Sequence, residues 1–348
     1  MRAVHCTRYG PPEVLELRQV PKPKPKAGQV LVRVHAAGVT LGDCEVRAFK
    51  MVSWVWIPAR VAIGVIRPRQ PVLGMEVAGV VEELGEGVTR FSVGDRIFGS
   101  TGFGMGAYAD YAAMPESASL TTIPGGVSYA QAAGIPTGGL NGLHFVRKTD
   151  PKPGERVLIN GAGGSIGMFA TQLARTRGAE VTAVDRTSKH DMLRRLGAQH
   201  VIDYETANYW ETDERYDVII DVVGNSPFAP SVARLNDHGR FFLGNPHSRQ
   251  ILKAIAENRR GRVRVLLQVA GEPVRDLDWL KQQVADGSLN VVVDRTFALE
   301  QLVKAHRYVE SGAKRGVVVI DVSGEAASRA AEADPSAAAL ATERRPSR

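Results

Sequence analysis

The run Gly161-Ala162-Gly163-Gly164-Ser165-Ile166-Gly167 is where residue types and spacing speak most directly of chemistry. A pyrophosphate needs backbone N–H groups aimed at it, no side chain in the way, and the positive end of a helix. Ala162-x-Gly164-x-x-Gly167 has that form. Gly164 lets the backbone approach the phosphates, and Gly167 lets the helix pack against the preceding strand. The β-type run Arg156–Asn160 comes first, a helical stretch from Ile166 to Arg177 follows, Gly178 ends it, and Glu180–Val184 reads as a second strand. This βαβ context favours a dinucleotide site over an ordinary strand-to-helix turn. Asp185 ends the second strand, with Arg186 and Lys189 just beyond. An acid there accepts hydrogen bonds from the adenosine ribose and favours NAD. Basic residues pair with a 2′-phosphate and favour NADP. Both kinds are present, and a solvated loop would also accommodate all three.

The elements that must position this turn follow a change of rhythm. Val30–Val34, Val77–Val81 and Ile97–Phe98 are short β-rich runs bounded by glycine turns, which predicts a small barrel-like β domain up to residue 126. Strands at Arg156–Asn160, Glu180–Val184, His200–Ile202, Asp217–Asp221, Arg240–Leu243 and Val263–Leu267 then alternate with helical patterns, as in a doubly wound parallel sheet. Short strands return at Val291–Val293 and Val317–Ile320 around a helix, Glu300–Glu310, and should fold back on the first domain. The expected division is 1–126 with 288–322 as one domain and 127–287 as the other. The β-rich first domain disfavours a methyltransferase, which also uses a glycine turn. Residues 323–348, rich in Ala, Ser, Glu and Arg, read as a disordered tail.

The bulk properties exclude other classes. A chain of 348 residues suits two domains. The formal charge of +7 is mostly dispersed. Lys22, Lys24 and Lys26 alternate with prolines as in a solvated connector, and Arg259, Arg260, Arg262 and Arg264 read as a loop entering a strand. Neither cluster is interleaved with aromatics, so no nucleic-acid partner is expected. Two cysteines, Cys6 and Cys44, imply no disulfide framework. The N-terminus has no signal-peptide core, and no apolar run is long enough to span a bilayer, so the expected location is cytoplasmic with no integral membrane segment.

Several further motifs together carry a family resemblance. They are Tyr9-Gly10-Pro11-Pro12-Glu13-Val14-Leu15, Pro71-Val72-Leu73-Gly74-Met75-Glu76-Val77-Ala78-Gly79, Val93–Gly99, Gly106–Tyr111, the glycine turn, and Leu196-Gly197-Ala198 with Val201–Tyr204. Over residues 1–322 the chain resembles the zinc-independent quinone oxidoreductase group of the medium-chain dehydrogenase/reductase superfamily. The resemblance implies an α/β architecture, a GroES-like β-rich catalytic domain plus a Rossmann doubly wound parallel-sheet domain, with the active site in the cleft between them. It also implies a homodimer and NADPH-dependent reduction of a small hydrophobic quinone or α,β-unsaturated carbonyl. Zinc-dependent relatives place Cys, His and Cys around their catalytic metal. The matching positions are Thr40, Met75 and Thr137, and residues 90–120 hold no cysteine for a structural zinc, so no metal is expected.

Carried over residue by residue, Lys189 and Tyr204 match positions that touch the 2′-phosphate, which tips the cofactor toward NADP(H). Asp185 replaces a small residue and keeps NAD(H) possible. Asn245 and Asn141 match positions beside the nicotinamide. Asp43 matches an acidic residue of the active-site loop, and Glu45 stands where some relatives have tyrosine. Tyr108 could donate a proton or pack. Glu76, in an apolar run, reads as a structural carboxylate paired with a cation, and Cys44 as a packing residue. The segment Met51–Ile66 reads as a greasy substrate mouth, ahead of a membrane-dipping patch, a packed loop or a subunit contact. The competing functions are a zinc-free alcohol dehydrogenase, a biosynthetic reductase with one dedicated substrate, and a non-catalytic cofactor-binding or RNA-associated protein.

Overall fold

The strands of the first sheet follow from near-continuous apolar runs. The computed structural model describes residues 1–50 and 56–324. A hairpin-like pair, β1 (Arg2–Cys6) and β2 (Leu15–Gln19), precedes the long β3 (Gln29–Val39), which is buried along almost its whole length. Burial on both faces explains why β3 reads as a Val/Ala run rather than an alternation. The helix α1 (Leu41–Ala48) and the short α2 (Trp56–Ile63) follow, then β4 (Glu76–Leu84), β5 (Arg96–Ser100), β6 (Tyr111–Pro115) and β7 (Leu120–Thr122). Thr40 starts α1 by a capping box with Asp43, each side chain bonding the other's backbone N–H.

Two helices, α3 (Tyr129–Ala133) and α4 (Pro136–Thr149), lead into the parallel sheet. Its elements are β8 (Arg156–Asn160), α5 (Ser165–Thr176), β9 (Glu180–Val184), α6 (His190–Arg195), β10 (His200–Ile202), β11 (Tyr216–Asp221), α7 (Phe228–Ala233), β12 (Leu235–Leu243), α8 (Ser248–Arg260), β13 (Arg264–Leu266) and α9 (Val274–Ala285). The strand order is β10-β9-β8-β11-β12-β13, all pairs parallel. Along β8 the period-2 alternation sends Val157 and Ile159 into the core under α4 and α5, and Leu158 into the core on the opposite face. The order reverses between β8 and β11, the switch point at whose carboxyl ends sheets of this kind bind ligands.

The chain then returns to the first sheet. β14 (Val293–Ala298) pairs parallel with β15 (Val317–Asp321), β15 pairs antiparallel with β3, and α10 (Leu302–Glu310) joins them. The strand expected at Val291–Val293 begins only at Val293. Leu289 and Val291 are instead packed into the core of the parallel-sheet half as the chain crosses over. The seven strands run β14-β15-β3-β4-β5-β7, with β6 on β3. The loop before β15 reaches the glycine turn, where the Gly316 N–H donates to the Gly163 carbonyl at 2.9 Å. Expectations for residues 51–55 of the apolar segment and 325–348 of the tail fall outside the described residues.

Candidate active site

The glycine turn leaves β8 at Asn160 and enters α5 at Ser165, with Gly164 as N-cap and no side chain capping the helix. The first amides of α5 therefore remain available to an anion. A Cβ on Gly167 would lie 2.2 Å from the Gly161 carbonyl oxygen and 2.5 Å from Ala162 Cα, so only glycine lets α5 seat on the strand end. At Gly164 the nearest atom to an added Cβ is 3.7 Å away, which leaves the approach to the helix start open. These features fit a dinucleotide pyrophosphate; within the turn Gly161, Gly164, Ser165 and Ile166 are partly exposed, whereas Ala162, Gly163 and Gly167 are buried.

At the end of β9, Asp185 and Lys189, which point to different cofactors, meet each other. The Lys189 Nζ pairs with Asp185 Oδ1 at 2.8 Å, and Asp185 Oδ2 accepts the Gly163 N–H at 2.8 Å. Both side chains are buried. Asp185 thus neutralises the very lysine expected to meet a 2′-phosphate, and its carboxylate faces the turn. Arg186 and Tyr204 stay at the rim. The Arg186 guanidinium pairs with Glu205 at 2.9 Å and lies 5.9 Å from the Tyr204 ring centroid. The Asn141 amide donates to the Thr137 carbonyl one turn back, and Asn245 is exposed beside Gly224.

The first sheet contributes a buried carboxylate cluster. Asp43 accepts from the Thr40 hydroxyl at 2.6 Å, the Thr40 N–H at 2.9 Å and the Met75 N–H at 3.1 Å. It ties the start of α1 to the turn before β4. Burial pushes its carboxyl up, and these hydrogen bonds oppose that. Tyr108 is fully buried, its hydroxyl donating to the Gly38 carbonyl at 3.2 Å, and burial drives its phenol well up. Glu45 is half-buried on α1, and burial raises its carboxyl. Cys44 lies 3.3 Å from His306 Nδ1 inside the core, with its thiol pushed up and the imidazole held down at about 3, both mainly by burial.

Glu76 departs from expectation. No cation pairs with it among the described residues; Oε1 instead accepts the Thr137 N–H at the start of α4, at 2.7 Å. Burial is the main cause that pushes this carboxyl up to about 8.

Two family models match the chain, an alcohol dehydrogenase GroES-like domain over residues 26–125 and a zinc-binding dehydrogenase over residues 196–320. The chain is 30% identical to the quinone oxidoreductase of Homo sapiens over 256 residues, 70% of this chain and 72% of that one. The chain belongs to the zinc-independent quinone oxidoreductase group of the medium-chain dehydrogenase/reductase superfamily. The solved quinone oxidoreductase of Coxiella burnetii superposes with a TM-score of 0.81 at 29% identity, covering 92% of this chain and 99% of that one. A mycobacterial protein solved in complex with NADPH superposes at 0.74 with 25% identity, covering 92% and 100%. The protein is thus an NAD(P)H-dependent oxidoreductase of the quinone oxidoreductase type.

For an oxidoreductase of this group, two sets of residues escaped the sequence reading. Lys314 is nine-tenths buried, and its Nζ donates to the Ser165 hydroxyl at 2.9 Å. Among the described residues it has no carboxylate within ion-pair distance, and burial lowers its ammonium. An ammonium at an uncapped helix start complements a phosphate. The second set lies at the switch point. Asp221 accepts from the Asn160 amide (2.9 Å), the Gly224 N–H (2.9 Å) and the Ser226 N–H (3.1 Å), which fixes the loop after β11 against the end of β8.

Proposed function

We propose that this oxidoreductase transfers hydride from NADPH, without zinc, to a small hydrophobic quinone or α,β-unsaturated carbonyl. The observation that carries the reading is the donor chemistry where zinc-dependent relatives hold their metal. Thr40 is engaged by Asp43, Thr137 gives its N–H to Glu76, and Met75 offers a thioether. Two hydroxyls and a thioether are a poor zinc set. Without a Lewis acid on the carbonyl, direct alcohol oxidation is disfavoured, whereas a conjugated acceptor takes hydride at carbon and moves its charge to a remote oxygen.

A bound nicotinamide supplies the hydride. The protein's own part is to hold and orient. The free amides at the start of α5 and the Lys314 ammonium would hold the pyrophosphate, and Asn141 and Asn245 would hold the nicotinamide end. Hydrogen-bond donors would stabilise the developing oxyanion on the acceptor; of the candidate proton-managing groups, Asp43 and Tyr108 are buried and bonded within the fold, and Glu45 is the one only partly buried. The preference for NADP(H) is supported by Arg186 and Tyr204 at the rim, whereas Asp185 holds Lys189 in a buried ion pair and opposes it. A homodimer in the cytoplasm is part of the same proposal. Oxidation of NADPH by a simple quinone and an enone, in the presence of a chelator and absent with the matching saturated ketone, is the expected result. Turnover that requires added zinc would refute it.

A further inference from the structure

In helix α2 and the turn after it, Ile63 packs against the core and Pro68 is buried, but most of the other apolar side chains are exposed. Ile57 is 71% exposed and Ile66 84%, with Val61, Val65 and Trp56 also open to solvent. The segment is nevertheless held in place. The Arg60 guanidinium turns inward, 3.8 Å from the Phe49 ring centroid and 4.7 Å from that of Tyr9, and donates to the Val65 carbonyl at 2.7 Å. The Tyr9 hydroxyl donates to the Gly64 carbonyl at 2.8 Å, and Gly64, at φ +137°, folds the chain back so that the Arg69 N–H reaches the Ile63 carbonyl at 2.7 Å. The exposed apolar side chains are therefore presented outward by a braced scaffold.

The chain segment that carries this face has charge of one sign. Between Glu45 and Glu76 the sequence holds five basic residues and no acidic one. Lys50, Arg67 and Arg69 are exposed. A cavity of about 290 Å³ next to the face is lined by His5, Thr7, Arg18, Arg67 and Arg69. Arg18 is paired with Glu16 at 2.6 Å, whereas Arg67 and Arg69 meet no carboxylate among the described residues. Projecting aliphatic side chains, a tryptophan and unpaired arginines beside a notch are what an interfacial lipid contact requires.

We propose that this face docks on an anionic phospholipid surface, with Ile57, Val61, Val65 and Ile66 entering the acyl boundary and lipid phosphates facing Arg67 and Arg69. The contact is peripheral: no helix among the described residues is long and apolar enough to cross a membrane. It is independent of the reaction proposed above, because binding is read without cofactor or quinone.

The test is flotation of the full chain with phosphatidylcholine vesicles, with and without phosphatidylglycerol. The protein should float with the mixed vesicles and not with phosphatidylcholine alone, and raising the salt should release it. Arg67→Glu with Arg69→Glu should lower partitioning by about 25-fold or more, about fivefold for each charge. Ile57→Ser with Ile66→Ser should lower it more than about tenfold at unchanged charge. No flotation of the wild-type chain, equal flotation with both vesicle types, or unchanged binding by both double variants would overturn the proposal. A wild-type dimer that ignores vesicles and dissociates in the Ile57→Ser, Ile66→Ser variant would assign the face to a second copy of the chain instead.

Discussion

Replacing Glu76 by Gln should change how stability depends on pH. The carboxyl is 3% exposed, accepts the Thr137 N–H, and pairs with no cation among the described residues. Its folded pKa is about 8 against 4.5 for the free side chain. A carboxyl raised in this way binds its proton more tightly in the folded protein. Its contribution to stability is therefore full at low pH, falls as pH rises from the unfolded value, and stops falling once pH passes the folded value. Each pH unit inside that window is worth about 1.4 kcal/mol. Between about pH 5.5 and 7.5 the wild-type protein should lose roughly 2–3 kcal/mol through this one group. Glutamine keeps the carbonyl that accepts from Thr137 and cannot ionise. Urea unfolding of both proteins at the two pH values gives the comparison, and the Glu76→Gln protein should lose that much less. Parallel pH slopes would refute the claim that Glu76 is held neutral by burial.

Other outcomes follow from the same geometry. Gly167→Ala puts a methyl 2.2 Å from the Gly161 carbonyl and should cost about 1–3 kcal/mol of stability while lifting α5 from the strand; equal urea midpoints for variant and wild type would contradict the seating described. Asp185→Ser releases Lys189 from its carboxylate and should shift the ratio of NADPH to NADH affinity toward NADPH by about tenfold, measured by cofactor fluorescence; an unchanged ratio or a shift toward NADH would count against the adenosine site. Lys314→Met should weaken NADPH and ADP binding by about 10- to 100-fold while sparing adenosine, and unaltered ADP affinity would remove Lys314 from the phosphate site.

The parts of this protein that were legible in its sequence are those set by local backbone demands. The glycine spacing stands for a turn in which a methyl would strike the Gly161 carbonyl, and it points to the proposed phosphate end of the site without any tertiary information. Strands β8 and β9 coincide with their apolar runs because the parallel sheet buries those residues almost continuously. What could not be read depends on long-range approach. Lys314 and Ser165 are 149 positions apart, and nothing near either one announces the contact. Asp185 and Lys189 were visible as neighbours at helical spacing, but whether each would face a cofactor or the other is decided by the path of the turn over them. Glu76 was expected to find a cation because a buried carboxylate needs compensation. Its partner is a backbone amide at the start of α4, a donor that no residue type reveals. The late start of β14 has the same origin, since Leu289 and Val291 are claimed by a core whose residues lie far away in sequence.

The most direct test of the central claim is steady-state oxidation of NADPH by the purified protein with a chelator present, comparing a simple quinone, an enone and the corresponding saturated ketone. Turnover with the quinone and the enone, and none with the ketone, is the expected result. Tight NADPH binding without turnover on any conjugated acceptor, or turnover restored only by zinc, would contradict it.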